Sequence, residues 1–259
     1  QKCHGEDLSQ SSHVQVARIL CPRRAVKPRL GLEFLRCGVF KRPKQANLRH
    51  AMIELDKDGG LWVVRINRPD KANSLTETML AQLADVAEGA TEVGAKALIL
   101  TGTGRVFSAG ADLDEARAGL ATSPVWERLS AAVAAFPGLS VAALNGTLAG
   151  GAFGMVLACD IRVAVESARF FYPVMKLGFL PQPSDPARLV GLVGPARAKL
   201  ILMAGQKIDA AEALDWGLID RIVPEDTLAQ TARALCADVM AASMDHVAGI
   251  KSLIRIPTR

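Results

Sequence analysis

Aromatic residues make up only 5% of the 259-residue chain, with a single tyrosine, Tyr172. A core built mainly from Ala, Val, Leu and Gly suits helices packed on sheets, so an α/β class is expected. Histidine is equally scarce. His4, His13, His50 and His246 all lie outside the segments that carry motifs, which argues against histidine catalysis. The five cysteines, Cys3, Cys21, Cys37, Cys159 and Cys236, are odd in number, widely spaced and form no Cys-x-x-Cys pair. Neither a disulfide framework nor a zinc site is indicated, no metal is expected, and a reducing compartment fits. No apolar run approaches the roughly 18 residues that cross a bilayer, and no secretory signal opens the sequence, so a soluble protein is expected.

The formal net charge of +5 is unevenly spread: residues 1–50 hold 11 Lys/Arg against 3 Asp/Glu, and residues 51–259 hold 20 against 23. Residues 1–50 therefore read as a basic leader, disordered or not native to the domain, and residues 51–259 as one domain. Arg-rich, acid-poor and interspersed with Ser, the leader also suits a transit segment, which would place the protein in mitochondria rather than the cytoplasm. Nucleic-acid binding would rest on this leader alone and ranks last.

Residues 52–56, the turn Asp56-Lys57-Asp58-Gly59-Gly60 and residues 61–67 read as a β-hairpin. Met79, Leu80, Leu83, Val86 and Ala87 fall at helical spacing within 76–90. Strands are expected at 96–101, 140–144 and 161–165, with a glycine-rich loop over 102–111, a turn over 145–150 and a short apolar helix over 151–159. Helices are expected near 186–193, 195–204, 209–215 and 224–242.

Gly102-Thr103-Gly104 begins like a dinucleotide fingerprint, but Phe107 occupies the third glycine position. Val106 likewise breaks the Gly-x-Ser-x-Gly pattern around Ser108. Two other loops keep their interest: Phe107-Ser108-Ala109-Gly110-Ala111-Asp112 and Gly146-Thr147-Leu148-Ala149-Gly150-Gly151-Ala152. Each leads into a helix start, where backbone N–H groups lack partners and suit an oxygen that gains negative charge during reaction.

With these two loops, Asn67-Arg68-Pro69, Asn73-Ser74-Leu75, Cys159-Asp160-Ile161, Leu177-Gly178, Gly217-Leu218 and Val223-Pro224, the chain from about 52 to 254 resembles the crotonase (enoyl-CoA hydratase/isomerase) superfamily. The resemblance implies repeated ββα units around two roughly perpendicular sheets, with an α-helical C-terminal region from about residue 195. It implies an acyl-CoA thioester as ligand, coenzyme A being part of the substrate with no further cofactor required. Family members assemble as a homotrimer or a dimer of trimers, and cytoplasmic fatty acid metabolism is the expected setting. By residue, it implies that the N–H groups of Ala109 and Gly151 grip the thioester oxygen and stabilise an enolate. Lys71 and Ala72 would follow the pantetheine and phosphates, and Ala109, Gly110, Ala111, Asp112 and Leu113 would form the wall near the adenine. Lys71 could equally be a solvated turn lysine, and Asp112 reads as a helix cap.

The two glutamates with which the family's hydratases activate water are replaced by Gly154 and Val174. Neither carries a proton, so hydration by that route is not expected. Gln182 lines up with a further acidic position in the family and can orient but not titrate. Asp185 could transfer a proton, although Asp185-Pro186 reads first as a helix start capped by its aspartate. Tyr172 reads as a core strand residue. Asp114 and Glu115 suit a first helical turn facing water. Two functions remain: an enzyme working through a thioester enolate (a decarboxylase, isomerase, thioester hydrolase or unusual hydratase of the lyase class), and a silent acyl-CoA binder or assembly subunit. The chain stops at Arg259, where longer members continue into helices that cover the acyl pocket.

Overall fold

The computed structural model describes residues 51–254; the expectations for residues 1–50, and for the chain beyond 254, lie outside the described residues. Strands β1 (Ile53–Asp58) and β2 (Leu61–Ile66) pair antiparallel from Ile53↔Ile66 to Asp58↔Leu61, as the hairpin pattern predicts. Gly59 takes φ +58 in the two-residue turn. Helix α1 (Glu77–Glu92) starts where Thr76 Oγ1 accepts from the Met79 amide at 3.2 Å, and it buries Met79, Leu80, Leu83, Ala84, Ala87 and Ala90.

A three-part unit then recurs: a long strand, a short strand and a helix. Its first copy is β3 (Ala97–Gly102), β4 (Val106–Ser108) and α2 (Leu113–Arg117), followed by α3 (Val125–Ala135), which packs on α1. The second is β5 (Leu139–Leu144), β6 (Thr147–Ala149), a 3-10 turn at Gly150–Ala152 and α4 (Phe153–Leu157). The third is β7 (Ile161–Val165), β8 (Arg169–Phe171) and α5 (Val174–Leu177). The loops expected at 102–111 and 145–150 thus each contain a short strand. Three residues are too few to show a two-residue alternation, so glycine punctuation dominates the local sequence signal.

Helix α6 spans Asp185–Leu202 and breaks at Gly194 (φ 79, ψ 165) just before Pro195, which divides it as the two expected helices are divided. After it come β9 (Ile208–Asp209), α7 (Ala210–Trp216), β10 (Arg221–Val223), α8 (Leu228–Leu235), α9 (Ala237–Ala241) and α10 (Met244–Leu253). The C-terminal third is therefore mainly helical, but it adds two strands and α10, which the pattern does not predict. One sheet runs β1-β2-β3-β5-β7-β10, parallel except at β1; the other runs β4-β6-β8-β9, with β9 antiparallel. The inner strands of the first sheet are almost uniformly buried, as parallel strands covered on both faces must be. The exposed edge, β1, carries Glu54, Asp56, Lys57 and Asp58.

Two asparagines fix the β3–β4 turn against its neighbours. Buried Asn73, itself at φ +53, accepts from the Arg68 amide (2.9 Å) and donates Nδ2 to the carbonyls of Thr103 (3.0 Å) and Val106 (2.6 Å). Asn145 accepts from the Gly102 amide (2.9 Å) and donates to Gly104 O (2.6 Å). Removing the Asn73 side chain orphans the Arg68 amide and the Thr103 carbonyl, leaves Val106 O only its longer bond from Asn145 (3.3 Å), and puts alanine in a left-handed conformation. Asn73→Ala should therefore lower the unfolding free energy in urea by about 2–4 kcal/mol. A loss below about 1 kcal/mol would show that the turn holds without this clamp.

Candidate active site

Strands β4 and β6 are neighbours, so the loops that leave them run side by side. They touch at glycine. Gly110 has φ +90, and a Cβ placed on it would lie 2.9 Å from Ala149 O, 3.2 Å from Gly150 Cα and 3.4 Å from the Gly151 nitrogen. Gly150, at φ +58, answers it from the other loop. At Gly110 a side chain would not fit, and at Gly150 the positive φ favours glycine.

The expected donor at Ala109 is corrected. Its N–H already donates to Ala72 O at 3.0 Å, which leaves no hydrogen for a ligand in this conformation. Two residues on, the geometry differs. The Leu75 amide donates to Gly110 O (2.8 Å) and the Asp112 amide to Leu75 O (2.9 Å), a parallel bridge that brackets Ala111. The bracketed residue directs its own N–H to the opposite side, and among the described residues neither the Ala111 amide nor the Gly151 amide has a protein acceptor. Gly151 lies in the 3-10 turn Gly150–Ala152, whose first N–H groups have no partner within the turn. The sequence motif singled out Ala109, whose amide is taken; alternation along the bridge is the signal that separates it from Ala111, whose amide is not.

The same contacts lay segment 71–75 alongside 109–113, so the residues expected to meet coenzyme A are brought together. Lys71 is exposed at the end of the 3-10 turn Pro69–Lys71, and Ala72 supplies the carbonyl that holds Ala109. Asp112 caps α2 as expected, its Oδ1 accepting from the Asp114 amide at 3.1 Å. Its other oxygen pairs with Arg68 at 2.8 Å, and that guanidinium holds the carboxyl below its ordinary range. Leu113 is 72% exposed on the outer side of this wall. Asp114 is solvated and pairs with Arg117, whereas Glu115 accepts from the Glu77 amide at the start of α1.

On the other side of Gly151 stands Trp126, fixed by its Nε1 donating to Leu120 O at 2.8 Å. Its ring atoms lie 3.1–3.2 Å from where a Gly151 Cβ would be, so a side chain at 151 would have to push the ring aside by a few tenths of an ångström. The chain then turns into α4, and at Gly154 a Cβ would fall 2.9 Å from Asp185 Oδ1. The carboxyl of Asp185 occupies the space that a side chain at 154 would need.

Asp185 corrects the cap reading. It is the first residue of α6, but no side-chain cap closes that helix start, and its carboxyl points inward at 1% exposure. Oδ2 accepts from the Tyr172 hydroxyl at 2.9 Å, while Oδ1 has no partner among the described residues. Burial raises this carboxyl to about 7; Glu127 adds to the rise, and Tyr172 and Arg188 oppose it. Tyr172 packs in the core as expected, though one residue past β8 rather than within a strand; its ring stacks on Phe153 at 5.3 Å, and its phenol is pushed up by burial and by Asp185. Gln182 donates Nε2 to Ala121 O (3.1 Å) and its backbone N–H to the Tyr172 hydroxyl (3.4 Å). Val174 is buried at the start of α5. Sequence reasoning did not single out Trp126, and nothing in its local pattern separates it from an ordinary core residue of α3.

The sequence profile of enoyl-CoA hydratase/isomerase matches residues 56–259. The probable enoyl-CoA hydratase echA8 of Mycobacterium tuberculosis is 30% identical over 214 residues, 78% of this chain and 80% of that protein. The 1,2-epoxyphenylacetyl-CoA isomerase of Escherichia coli is 32% identical over 186 residues, covering 68% and 71%. Among solved structures, an enoyl-CoA hydratase/isomerase from Pseudoalteromonas atlantica superimposes with a TM-score of 0.74 at 31% identity over 79% of this chain and 82% of that one. The enoyl-CoA hydratase of Bacillus anthracis gives 0.72 at 30% identity with the same coverage. Two sheets joined by recurring strand–strand–helix units and closed by C-terminal helices define a crotonase-like α/β fold. The chain belongs to the enoyl-CoA hydratase/isomerase family.

A carboxyl whose folded value lies above its unfolded one binds more protons in the native state. Its contribution to stability is therefore complete below the unfolded value of 3.8 and is lost as pH rises to about 7. Urea unfolding should show this component of the slope between about pH 4 and 7 in the native chain, and Asp185→Asn should remove it. An identical pH slope in the variant would mean that the carboxyl titrates normally.

Proposed function

We propose that the chain is an enzyme that binds an acyl-CoA thioester and holds its carbonyl oxygen between the N–H groups of Ala111 and Gly151. The observation that carries this reading is the backbone contact of Gly110 with Ala149–Gly151, which brings together two loops that each hold one amide, Ala111 and Gly151, without a protein acceptor among the described residues. As an α-carbon loses a proton or a carboxyl group, charge moves onto the thioester oxygen. Preorganised donors then stabilise the enolate, by about 3–4 kcal/mol each. Coenzyme A would run past Lys71 and Ala72 to the wall formed by Ala109–Leu113, and the acyl group would lie toward Trp126 and Gly154.

Hydration by two glutamates is not part of this reading, because Gly154 and Val174 offer no proton-carrying group. The reaction belongs among those that one enolate supports: isomerisation, decarboxylation or thioester hydrolysis. The names of the relatives, hydratases and an isomerase, agree with a shared thioester-binding scaffold. The same two substitutions favour the second reading, a silent acyl-CoA binder or assembly subunit. A homotrimer or dimer of trimers is supported by the exposed apolar run Met175, Leu177, Phe179 and Leu180. Buried free thiols at Cys159 and Cys236 suit a reducing, cytoplasmic setting.

Crotonyl-CoA bound to the purified full chain should show its thioester carbonyl stretch shifted to lower wavenumber, and an unshifted band would sink the clamp. Its hydration should run roughly 10²–10⁴-fold below that of a two-glutamate relative measured alongside. Comparable hydration rates would show that water is activated by groups outside this site. Gly110→Ala, which pushes on Ala149 O, should weaken acyl-CoA binding about tenfold or more with the circular dichroism spectrum retained.

A further inference from the structure

The geometry points to Asp185 as the group that takes a proton from, and returns it to, the carbon chain beside the thioester carbonyl. This inference rests on the thioester reading above and deepens it by naming the acid–base residue. Three structural facts support it. First, Asp185 Oδ1 is a buried carboxyl oxygen with no hydrogen-bond partner among the described residues, which the fold itself gives no reason to keep. Second, that oxygen lies against Gly154, three residues from the Gly151 amide along one continuous turn of 3-10 and α-helix, so the carboxyl sits about one helical turn from the proposed clamp. Third, only one of the carboxyl oxygens is anchored: Oδ2 is held by the Tyr172 hydroxyl, whose own position is fixed by the stacked Phe153 ring and the Gln182 amide. One oxygen is oriented and the other is left without a hydrogen-bond partner.

Asp185 occupies neither of the two family glutamate positions nor that of Gln182. A glycine at 154 is what makes room for it: any side chain there would collide with Oδ1. The loss of a carboxyl at 154 and the inward turn of Asp185 thus occur at a single place in the fold.

The step balances without a co-reactant. The C–H bond at the α-carbon breaks and its electron pair becomes the enolate double bond. The thioester oxygen takes the negative charge under the two amides, and the proton forms an O–H bond with Asp185. Return of that proton to the α-carbon, or to the γ-carbon of an unsaturated acyl group, restores the carbonyl and the carboxylate. One carboxyl is enough for such a transfer. A carboxyl raised to about 7 is partly ionised near neutral pH: its carboxylate is a stronger base than an ordinary one for taking the α-proton, and its protonated form is still acidic enough to return that proton to carbon. The charged and titratable groups that face it are Tyr172 after β8, Glu127 on α3 and Arg188 on α6; α4 presents none.

The test uses 3-butenoyl-CoA, whose α-protons are acidified by both the thioester and the vinyl group, incubated with the full chain in D2O. Deuterium incorporation and crotonyl-CoA formation are followed by NMR, and binding is measured separately by calorimetry. The native chain should catalyse exchange, and Asp185→Asn should reduce it by about 100-fold or more with the dissociation constant changed less than about threefold. Tyr172→Phe should keep exchange but move the midpoint of its pH profile upward, because the lost hydroxyl had favoured the carboxylate. A purely structural Asp185 would not move that midpoint. Should Asp185→Asn fail to fold, Tyr172→Phe and Gly154→Ala carry the test, the latter by pressing on Oδ1 and lowering exchange about tenfold. Exchange at the native rate in Asp185→Asn, or a native chain that binds the thioester and exchanges nothing between about pH 5 and 9, overturns the role of Asp185 and leaves the clamp standing. A native chain that binds no acyl-CoA removes the clamp and this role together.

Discussion

The contact between the Gly110 backbone and the Ala149–Gly151 backbone is the constraint on which the site depends. Two loops that belong to successive repeats of the fold come within a van der Waals contact: a Cβ on Gly110 would press on Ala149 O, while Gly150 holds a positive φ that side-chain-bearing residues rarely adopt. Every flanking feature serves that approach. Asn73 and Asn145 hold the turn that delivers β4, the Leu75–Ala111 bridge sets which amide faces out, and Trp126 closes the far side of Gly151. Apart from the Trp126 ring, these are buried polar and backbone interactions rather than apolar ones. Apolar packing sets the overall position of elements, but it tolerates small slips, whereas a hydrogen bond lost in a dry interior costs about 1–3 kcal/mol. Placing an amide to within a fraction of an ångström needs the second kind of interaction.

The long elements were legible in the sequence because their burial is periodic. The hairpin, α1 and the three long strands of the first sheet follow directly from where Val, Ile and Leu recur. The short strands β4, β6, β9 and β10 were not, since two or three residues cannot show a period and their pairing partners are distant in the chain. Their existence is a tertiary fact. The site divides in the same way. Glycine loops and missing glutamates can be read one residue at a time. The occupation of the Ala109 amide by Ala72 O depends on a segment 37 positions earlier, and no local pattern announces it.

Asp185 illustrates a different limit. Aspartate before proline at a helix start is, on sequence grounds, a cap, and the helix does begin there. What turns its carboxyl inward is the vacancy beside Gly154 together with the Tyr172 hydroxyl, and each lies in another element of the fold. The two features look unrelated along the chain: one is a missing acid, the other an unremarkable helix start. In space they are one arrangement.

A fold has no need of such an arrangement. Leucine or methionine between α4 and α6 would gain hydrophobic burial of about 1.5–3 kcal/mol, where the native chain keeps a carboxyl with one oxygen unpaired. The neighbouring residues do little to relieve it: Tyr172 supplies one hydrogen bond, Arg188 a modest opposing charge, and Glu127 a repulsion. Stability alone would select against the group, and local rules of packing and polar satisfaction are broken mainly where a protein needs reactivity. The break falls beside Gly154, three residues along the chain from the Gly151 amide, and that placement is what the role proposed for the unpaired oxygen rests on.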